Sequence, residues 1–448
     1  MSDAGTGPAT TRTLPLGRIG ESVLRSDGRP KVRGEFAYAS DLGADRMLWG
    51  ATLRSPHPSA LIRGIDITEA VTLSGVHAVL LHSDVPGTRT YGMEISDQPV
   101  LAIAGGRPRG EPVAIGAADP PETARRAIER IAVDYAPQPA LTDADAAILP
   151  GAPELHPGGN LLRRVRILHG DPGATAEVVV RGEYVVGMQD QAFLGPEAAL
   201  AVPAEDGGID LHIATQWLHV DQGQVAACLG LPPALTRLHL AGVGGAFGGR
   251  EDLSMQVHVA MLALHTGRPV KMVYNREESF FGHVHRHPAR MEYEHGADRD
   301  GRLVYVRARI VLDGGAYASS STAVVANAAT FACGPYGVPN ATIDAAVAYT
   351  NNPPCGAMRG FGAVQVAFAH ESQMDRLAAE LALDPYEIRL RNAMSTGTRL
   401  PTGQVVDGPA PVRELLEALR AMPLPPDVAP TDARDLPGGV SNSTHGED

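Results

Sequence analysis

The sequence predicts a mixed α/β protein of the α+β class with more than one domain, and three observations lead to this prediction. The chain has 448 residues, which is more than a single hydrophobic core usually supports. Short runs of β-branched and apolar residues alternate with stretches whose apolar residues recur at helical spacing. The 50 glycines and 36 prolines indicate many turns between these elements.

The first predicted domain covers residues 18–146 and has a strand-helix-strand pattern. Its β-like runs flank one helix and lie at residues 76–82, 113–117 and 131–135. Asp119 and Pro120 precede this helix, which predicts an aspartate cap and a proline in the first helical turn. The turn-rich residues 150–160 interrupt the pattern, so we predict the domain boundary there.

The second predicted domain covers residues 160–422. Its predicted strands lie at residues 177–186, 198–203, 211–215, 236–241 and 270–274. Its predicted helices lie at about residues 220–229 and 251–265, around Met374 to Leu381, after Asp384 and at about 411–421. Asp384 and Glu387 have the spacing of a capping box. Residues 1–17 and 423–448 are small, polar or rich in proline, which predicts two flexible tails.

The composition excludes several classes of protein. The 38 basic and 51 acidic residues give a net charge of −13, which argues against a nucleic-acid partner. No segment resembles a secretory signal or a membrane span, so we expect a cytoplasmic protein without a membrane partner. The three cysteines, Cys228, Cys333 and Cys355, form no C-x-x-C pair, so a disulfide framework, a zinc site and an iron–sulfur cluster are not predicted from them.

A glycine cluster, GVGGAFGGRE at residues 242–251, is the sharpest local feature of the sequence. Glycine allows the backbone to approach a ligand closely, and a following helix N-terminus would offer N–H groups to an oxygen-rich anion. Its spacing matches neither the dinucleotide fingerprint nor the P-loop, which argues against a nicotinamide-dependent dehydrogenase. A plain structural turn stays open as the alternative.

A second cluster, NNPPCGAMRGFGAVQ at residues 351–365, places Arg359 and Phe361 among glycines. The arginine could bind an anionic group and the phenylalanine could stack on a planar ring. An ordinary surface loop is equally compatible with this spacing. Gln216, at the end of a predicted strand, is by itself expected to be a solvated surface glutamine.

The segment HVHRH at residues 283–287 raises a metal hypothesis, because alternate residues of a strand face the same way. No carboxylate or cysteine lies at a known ligand spacing, so ordinary strand histidines are the preferred interpretation. Trp49 and Trp217 are expected in the core. A serine hydrolase is disfavoured because the chain has no G-x-S-x-G elbow.

Several motifs together resemble the molybdopterin-binding subunit of the xanthine dehydrogenase and aldehyde oxidase family. GRPKVRGEFAYASD (28–41), LRSPH (53–57), GVHAVL (75–80), GEPVAI (110–115) and VDY (133–135) are similar to its hammerhead-type small α/β domain. GGAFGGRE, NREESFFGHVHRHP, DGGAY and CGAMRGFGAVQ follow in the order of its first molybdopterin-binding domain. Several motifs in order are far more specific than any one of them.

The resemblance implies a molybdenum–molybdopterin cofactor, with its cytosine dinucleotide form left open. The cofactor-binding residues that it implies are Gln216, Gly245, Phe247, Gly248 and Arg359. Among these, Gln216, Phe247 and Arg359 would lie near the molybdenum. It implies that Glu251 orients the substrate and that Phe361 stacks on the substrate ring. No residue matches the catalytic glutamate, the general base, which is expected on a partner chain.

The substrate implied by the resemblance is a small N-heterocycle that is hydroxylated with water as the oxygen source. The segments GHVHRHP (282–288) and NNPPCGAMRGFG (351–362) resemble those of bacterial purine-degrading members, which favours xanthine or hypoxanthine. Asn327 stands where mammalian-type xanthine enzymes carry a second substrate-binding arginine, which keeps nicotinate-type and aldehyde-type hydroxylases open.

The family's subunit normally continues beyond the part that this chain resembles. We therefore expect partner chains that carry the second molybdopterin-binding half, the 2Fe-2S clusters and FAD, and we expect no catalysis by this chain alone. A non-catalytic remnant or interaction subunit is the alternative from a different class.

Overall fold

The structure is a computed structural model, and it describes Gly20 and residues 22–423. The predicted tails, apart from residue 423, lie outside the described residues. Within the described part, the predicted mixed α/β fold is confirmed, with strands arranged in four sheets. None of the described helices is long and apolar enough to cross a bilayer.

The elements of the first part alternate short strands and short helices. In chain order they are α1 (Gly28–Arg33), β1 (Leu48–Arg54), β2 (Ala60–Asp66), α2 (Thr68–Val71), β3 (Val76–Leu80), β4 (Thr90–Tyr91), β5 (Gln98–Pro99), β6 (Gly105–Gly106), β7 (Pro112–Ala118), α3 (Pro121–Glu129), β8 (Ala132–Pro137) and α4 (Ala144–Ala147).

The second part contains longer strands and helices. In chain order they are β9 (Leu161–His169), β10 (Val178–Val186), β11 (Ala198–Pro203), β12 (Ile209–Ile213), α5 (Leu218–Leu229), β13 (Thr236–Leu240), α6 (Gln256–Thr266), β14 (Val270–Val273), α7 (Arg276–Gly282), β15 (Ala289–Ala297), β16 (Leu303–Gly315), α8 (Ser321–Thr330), β17 (Asn340–Tyr349), α9 (Ala363–Glu380), α10 (Pro385–Asn392) and α11 (Val412–Arg420).

A seven-stranded sheet combines strands from both parts, in the order β13-β12-β11-β14-β1-β7-β3. The connection is the parallel pairing of β1 with β14, in which Leu48 lies opposite Val270. Successive residues of β7 point to opposite faces of the sheet. Ile115 belongs to the hydrophobic cluster that contains the buried residues of α6, whereas Ala114 packs with Ala70 of α2 on the other face. The sheet is therefore covered on both faces. The predicted domain boundary at residues 150–160 stays a prediction.

The second large sheet has five strands, in the order β10-β15-β16-β17-β9. Helices α8 and α9 pack against it and bury Val325 and Met374 with Met291 and Ile310. Its exposed residues form cross-strand ion pairs such as Arg181 with Glu294. Three of the four strand pairs are antiparallel and β16 pairs with β17 in parallel; the division into an apolar face and a charged face is typical of a sheet with one solvated side.

Two predicted helix caps have different outcomes. The Asp384 side chain accepts hydrogen bonds from the backbone N–H groups of Tyr386 and Glu387, so the predicted cap of α10 is present. The carboxylate of Glu387 instead pairs with Arg391, so the capping box is not closed in the predicted way. The predicted Asp119 cap is wrong, because Pro120 is the N-cap of α3 and no side chain caps that helix.

Candidate functional site

Two loops meet at the candidate site, and glycine makes their contact possible. The glycine-rich loop, residues 242–251, follows β13, and the arginine loop, residues 351–362, connects β17 to α9. The backbone N–H of Arg359 donates to the carbonyl oxygen of Phe247, with an N···O distance of 2.8 Å. A Cβ at Gly248 would lie 2.5 Å from the Ala357 carbonyl oxygen. Only a glycine therefore allows the loops to approach so closely.

Each loop holds one phenylalanine in the left-handed backbone region. The φ angles are +52° for Phe247 and +50° for Phe361. This conformation costs a bulky L-residue about 1 kcal/mol or more, so the contacts around the loops must maintain it. Glycines with positive φ flank both residues: Gly248 follows Phe247, and Gly360 and Gly362 surround Phe361. Such outliers cluster at ligand-binding sites, which points to these loops.

Gln216 is anchored to the glycine-rich loop through its side chain. Its Oε1 accepts hydrogen bonds from the backbone N–H groups of Gly248 at 3.0 Å and Arg250 at 3.3 Å. Its own backbone N–H donates to the Arg250 carbonyl oxygen at 2.9 Å. Gln216 is exposed, as expected for a surface glutamine, but the loop backbone holds its side-chain oxygen in place. The side-chain amide N–H group has no acceptor among the described residues.

A cavity of about 700 Å³ opens between the two loops. It brings together six of the seven residues named from the sequence, namely Gln216, Phe247, Gly248, Glu251, Arg359 and Phe361. Gly245, the seventh, does not line the cavity, although it belongs to the same loop and has a φ of +107°. The roles of these residues stay predictions, but their common location is a property of the structure.

The cavity contains one cation and two carboxylic acids. The guanidinium of Arg359 has no hydrogen-bond or ion-pair partner within residues 22–423. Burial raises the pKa of Glu251 above its ordinary value. Glu94 also lines the cavity; burial raises its pKa too, and the Thr322 hydroxyl donates to its carboxylate. The cavity therefore offers a free cationic donor beside weakened acids.

Asn327 does not line the cavity, but it holds a residue that does. Its Nδ2 donates to the carbonyl oxygen of Phe361, with a distance of 2.9 Å. Asn327 lies on α8, and Gly362 touches the same helix so closely that a Cβ there would lie 2.4 Å from the Val324 carbonyl oxygen. Helix α8 therefore supports the strained turn that carries Phe361.

Several cavity residues were missed by the sequence reasoning. Met93 and Glu94 come from the loop between β4 and β5, far from both glycine clusters along the chain. They belong to no motif, so no local signal could have identified them. Trp217 also lines the cavity and is 45% exposed, so its assignment to the core is wrong. Its position directly after Gln216 was the available signal.

The predicted helix N-terminus at the glycine-rich loop is wrong. Helix α6 begins only at Gln256, after a non-helical segment. The Oε1 of Gln256 already accepts from the backbone N–H groups of Ser254 and Met255. The arginine loop is different, since α9 begins at Ala363 directly after Gly362. A helix start therefore adjoins the second loop rather than the first.

The histidine segment lies behind the arginine loop and is buried. The backbone N–H of His285 donates to the Pro354 carbonyl oxygen, and the N–H of Gly356 donates to the His285 carbonyl oxygen. His283 is flanked by the carboxylates of Asp190 and Glu197. His287 points elsewhere and contacts the Ser321 hydroxyl at 2.8 Å. The three cysteines are also buried and unpaired with one another.

Two family models match the chain. The model described as the aldehyde oxidase and xanthine dehydrogenase a/b hammerhead domain matches residues 33–139. The model described as the molybdopterin cofactor-binding domain matches residues 156–393. The second model includes both loops of the candidate site.

Similar proteins support the same family. The nicotinate dehydrogenase large molybdopterin subunit of Eubacterium barkeri is 37% identical over 405 residues, which are 90% of this chain and 95% of that protein. A probable xanthine dehydrogenase subunit of Bacillus subtilis is 38% identical over 83% of this chain and 50% of that protein. The solved aldehyde oxidoreductase of Desulfovibrio gigas superposes with a TM-score of 0.85 at 32% identity, covering 88% of this chain and 45% of that one.

The chain thus spans nearly all of one relative and about half the length of the other two. Its fold, its two loops and its domain matches agree with the resemblance that the motifs indicated. The chain belongs to the xanthine dehydrogenase and aldehyde oxidase family of molybdenum hydroxylases and carries that family's molybdopterin cofactor-binding domain.

Proposed function

We propose that this chain forms one half of the active site of a molybdenum hydroxylase that oxidises a small N-heterocycle. The observation that carries the proposal is the cavity between the two loops, where six residues named from the sequence meet. The remaining cofactor contacts and the general-base glutamate would come from a second chain. Partner chains with 2Fe-2S clusters and FAD would carry the electrons away.

The cavity residues fit an oxygen-rich, electron-rich cofactor. Gln216 and Arg359 contribute an amide N–H and a guanidinium that have no acceptors within the described part of the chain. Such donors are suited to anionic or metal-oxo oxygens. Gly248 leaves no room for a side chain, and the side chain of the preceding Phe247 is exposed to the cavity. When bound, the molybdenum cofactor supplies the two-electron oxidation and the oxygen transfer from water.

The substrate contacts in this proposal are Glu251 and Phe361. The Phe361 ring would stack on a planar heterocycle, and the Glu251 carboxylate would accept a hydrogen bond from a ring N–H. Glu94 adds a second acid to the cavity. Two acids disfavour an anionic substrate by like-charge repulsion, so a purine such as xanthine or hypoxanthine is our first candidate.

Nicotinate is the second candidate, because a nicotinate dehydrogenase subunit matches this chain over 95% of its length. Its carboxylate would need a cation, and Arg359 is the cation among the residues that line the cavity. The two candidates therefore require different pairings. A purine requires Glu251 as an acceptor, whereas nicotinate requires a positive charge and gains nothing from Glu251.

The test uses the native complex, purified through a tag on this chain. Rates of hydroxylation are compared for hypoxanthine, xanthine and nicotinate, in the wild type and in Glu251→Gln. The exposed Glu380→Gln on α9 serves as the matched control. We expect purine turnover, with kcat/KM reduced about 10-fold to 100-fold in Glu251→Gln, which corresponds to about 1.4–2.7 kcal/mol for a hydrogen bond with a charged partner.

Turnover of nicotinate alone, unaffected by Glu251→Gln, would replace the purine assignment by the second candidate. A complex that contains molybdenum but oxidises none of these heterocycles would contradict the proposed substrate class. Equal effects of Glu251→Gln and Glu380→Gln would remove Glu251 from substrate binding.

A further inference from the structure

We propose that Asp190, His283 and His285 form a binding site for a divalent transition metal, with Zn²⁺ as the best match, behind the arginine loop. The three side chains each offer one ligand atom, and these atoms lie within 4.8 Å of one another. This site is separate from the cavity between the loops, since none of the three residues lines that cavity.

Two of the three distances between the ligand atoms match those of a small tetrahedral site. Asp190 Oδ2 lies 3.1 Å from His283 Nε2 and 3.4 Å from His285 Nε2. Ligand atoms bound to Zn²⁺ at about 2.0–2.1 Å in a tetrahedron are separated by about 3.3 Å. These two distances would therefore need little change to accept a zinc ion, and the two histidine ligand atoms lie within 4.8 Å of each other. Gln191 Oε1 lies 3.2 Å from His283 Nε2 and is positioned to be the fourth ligand of the metal.

The second nitrogen of each imidazole has the partner that metal-binding histidines usually have. His283 Nδ1 lies 3.0 Å from the Glu197 carboxylate, and His285 Nδ1 lies 3.4 Å from the Pro354 carbonyl oxygen. A carboxylate or a backbone carbonyl on the far nitrogen fixes the ring and makes the near nitrogen a better ligand. Both histidines thus have an outer partner that orients them.

Burial and unmet hydrogen bonds also favour a cation-binding site at these residues. The side chains of His283 and Glu197 are 1% and 3% exposed, and that of Asp190 is 13% exposed. Asp190 Oδ2 and both carboxylate oxygens of Glu197 have no hydrogen bond of good geometry within the described residues. Two buried carboxylates are costly unless positive charge compensates them. A divalent cation beside neutral imidazoles would balance the negative charges of both carboxylates.

The location gives the metal a structural role. Gln191, next to Asp190, donates from Nε2 to the Ala357 carbonyl oxygen, and Arg286 donates to the Arg359 carbonyl oxygen. The ion would therefore join the segment around residues 189–197 to the segment around 283–287. Both segments contact the arginine loop from behind.

A proton on His283 is the competing occupant. Burial alone would lower the pKa of His283, but its hydrogen bonds to Asp190 and Glu197 outweigh burial and raise that pKa to about 9. The Phe280 carbonyl oxygen, 2.9 Å from His285 Nε2, would likewise accept a hydrogen bond from a proton on that nitrogen. The metal and the proton therefore compete for the same atoms, and metal analysis distinguishes them.

The test is elemental analysis of the full-length chain after passage through a chelating resin, with zinc and molybdenum measured separately. We expect about one zinc ion per chain in the wild type and loss of most of it in His283→Gln and Asp190→Asn. His287→Gln is the matched control, because His287 is a buried histidine of the same segment that contacts Ser321 instead.

A second measurement does not depend on the variants folding. Wild-type chain stripped with EDTA is titrated with Co²⁺, and its visible absorption and melting temperature are recorded. Tetrahedral cobalt absorption and a rise in melting temperature on adding Zn²⁺ support the site. Absence of zinc from the wild type together with no cobalt absorption overturns it, as does equal zinc retention in His283→Gln and the wild type. Molybdenum content plays no part in either outcome.

Discussion

The backbone N–H of Arg359 donates to the Phe247 carbonyl oxygen at 2.8 Å, which joins two loops that are far apart in the sequence. Each partner adjoins a glycine with positive φ, namely Gly248 and Gly360. The hydrogen bond therefore depends on backbone conformations that few other residues adopt. It sets the separation of the Phe247 and Arg359 side chains, which line the same cavity.

Replacing Gly248 with alanine should separate the two loops. The new Cβ would lie 2.5 Å from the Ala357 carbonyl oxygen, at a residue whose φ is +103°. We expect the free energy of unfolding to fall by about 2 kcal/mol or more. Gly187→Ala is the control, because Gly187 has open space and an ordinary φ. Equal unfolding midpoints for both variants in a denaturant titration would show that the loops do not constrain this position.

Asn327→Leu should weaken substrate binding without removing the cofactor. The variant loses the hydrogen bond from Asn327 Nδ2 to the Phe361 carbonyl oxygen. We expect KM to rise about 5-fold in the assembled enzyme, which corresponds to about 1 kcal/mol, with unchanged molybdenum content. Thr330→Ala, on the exposed side of the same helix, should leave KM unchanged. An unaltered KM in Asn327→Leu would mean that Phe361 keeps its position without this bond.

Asp252 should make the protein less stable as the pH rises. Burial raises the pKa of this carboxyl from 3.8 to about 7, although the Ser319 hydroxyl donates to it. Between pH 4 and 7 the folded state therefore holds a proton that the unfolded state has lost, so stability falls across this range. Asp252→Asn removes this contribution.

The variant should gain stability relative to the wild type from about pH 4 to about pH 7, by up to about 4 kcal/mol. The difference should stay constant at higher pH. The measurement is a series of denaturant titrations at several pH values. A difference between the two proteins that does not change with pH would contradict the raised pKa.

Six of the seven residues named from the sequence line the cavity, because the family's motifs are contiguous and glycine-rich, while the roles of these residues stay predictions. Gln216 shows the limit of reasoning from spacing alone. Nothing local indicated that its amide would bind the backbone of Gly248 and Arg250, since both partners lie on another loop. The helix expected after the glycine-rich loop was also placed too early, since α6 begins only at Gln256. Apolar spacing predicts a helical face but does not define where the helix starts.

Pairings between residues that are distant along the chain could not be predicted from the sequence. The pairing of β1 with β14 extends the sheet of the first part into the second, and no local pattern encodes such a partner choice. The same holds for Asp190 and Glu197, which folding brings to His283. The sequence showed no carboxylate at ligand spacing from the histidine segment. The structure brings two carboxylates to it from a segment that is distant along the chain.

The central claim is that the cavity between the loops binds the molybdenum cofactor, and the most direct test is the molybdenum content of the native complex. Wild type, Arg359→Met and Arg376→Met are purified through the same tag. Arg376 is an exposed arginine on α9 and serves as the control. We predict near-stoichiometric molybdenum in the wild type and in Arg376→Met, and a loss of most of it in Arg359→Met. A wild-type complex free of molybdenum, or an Arg359→Met complex as rich in molybdenum as the control, would contradict the claim.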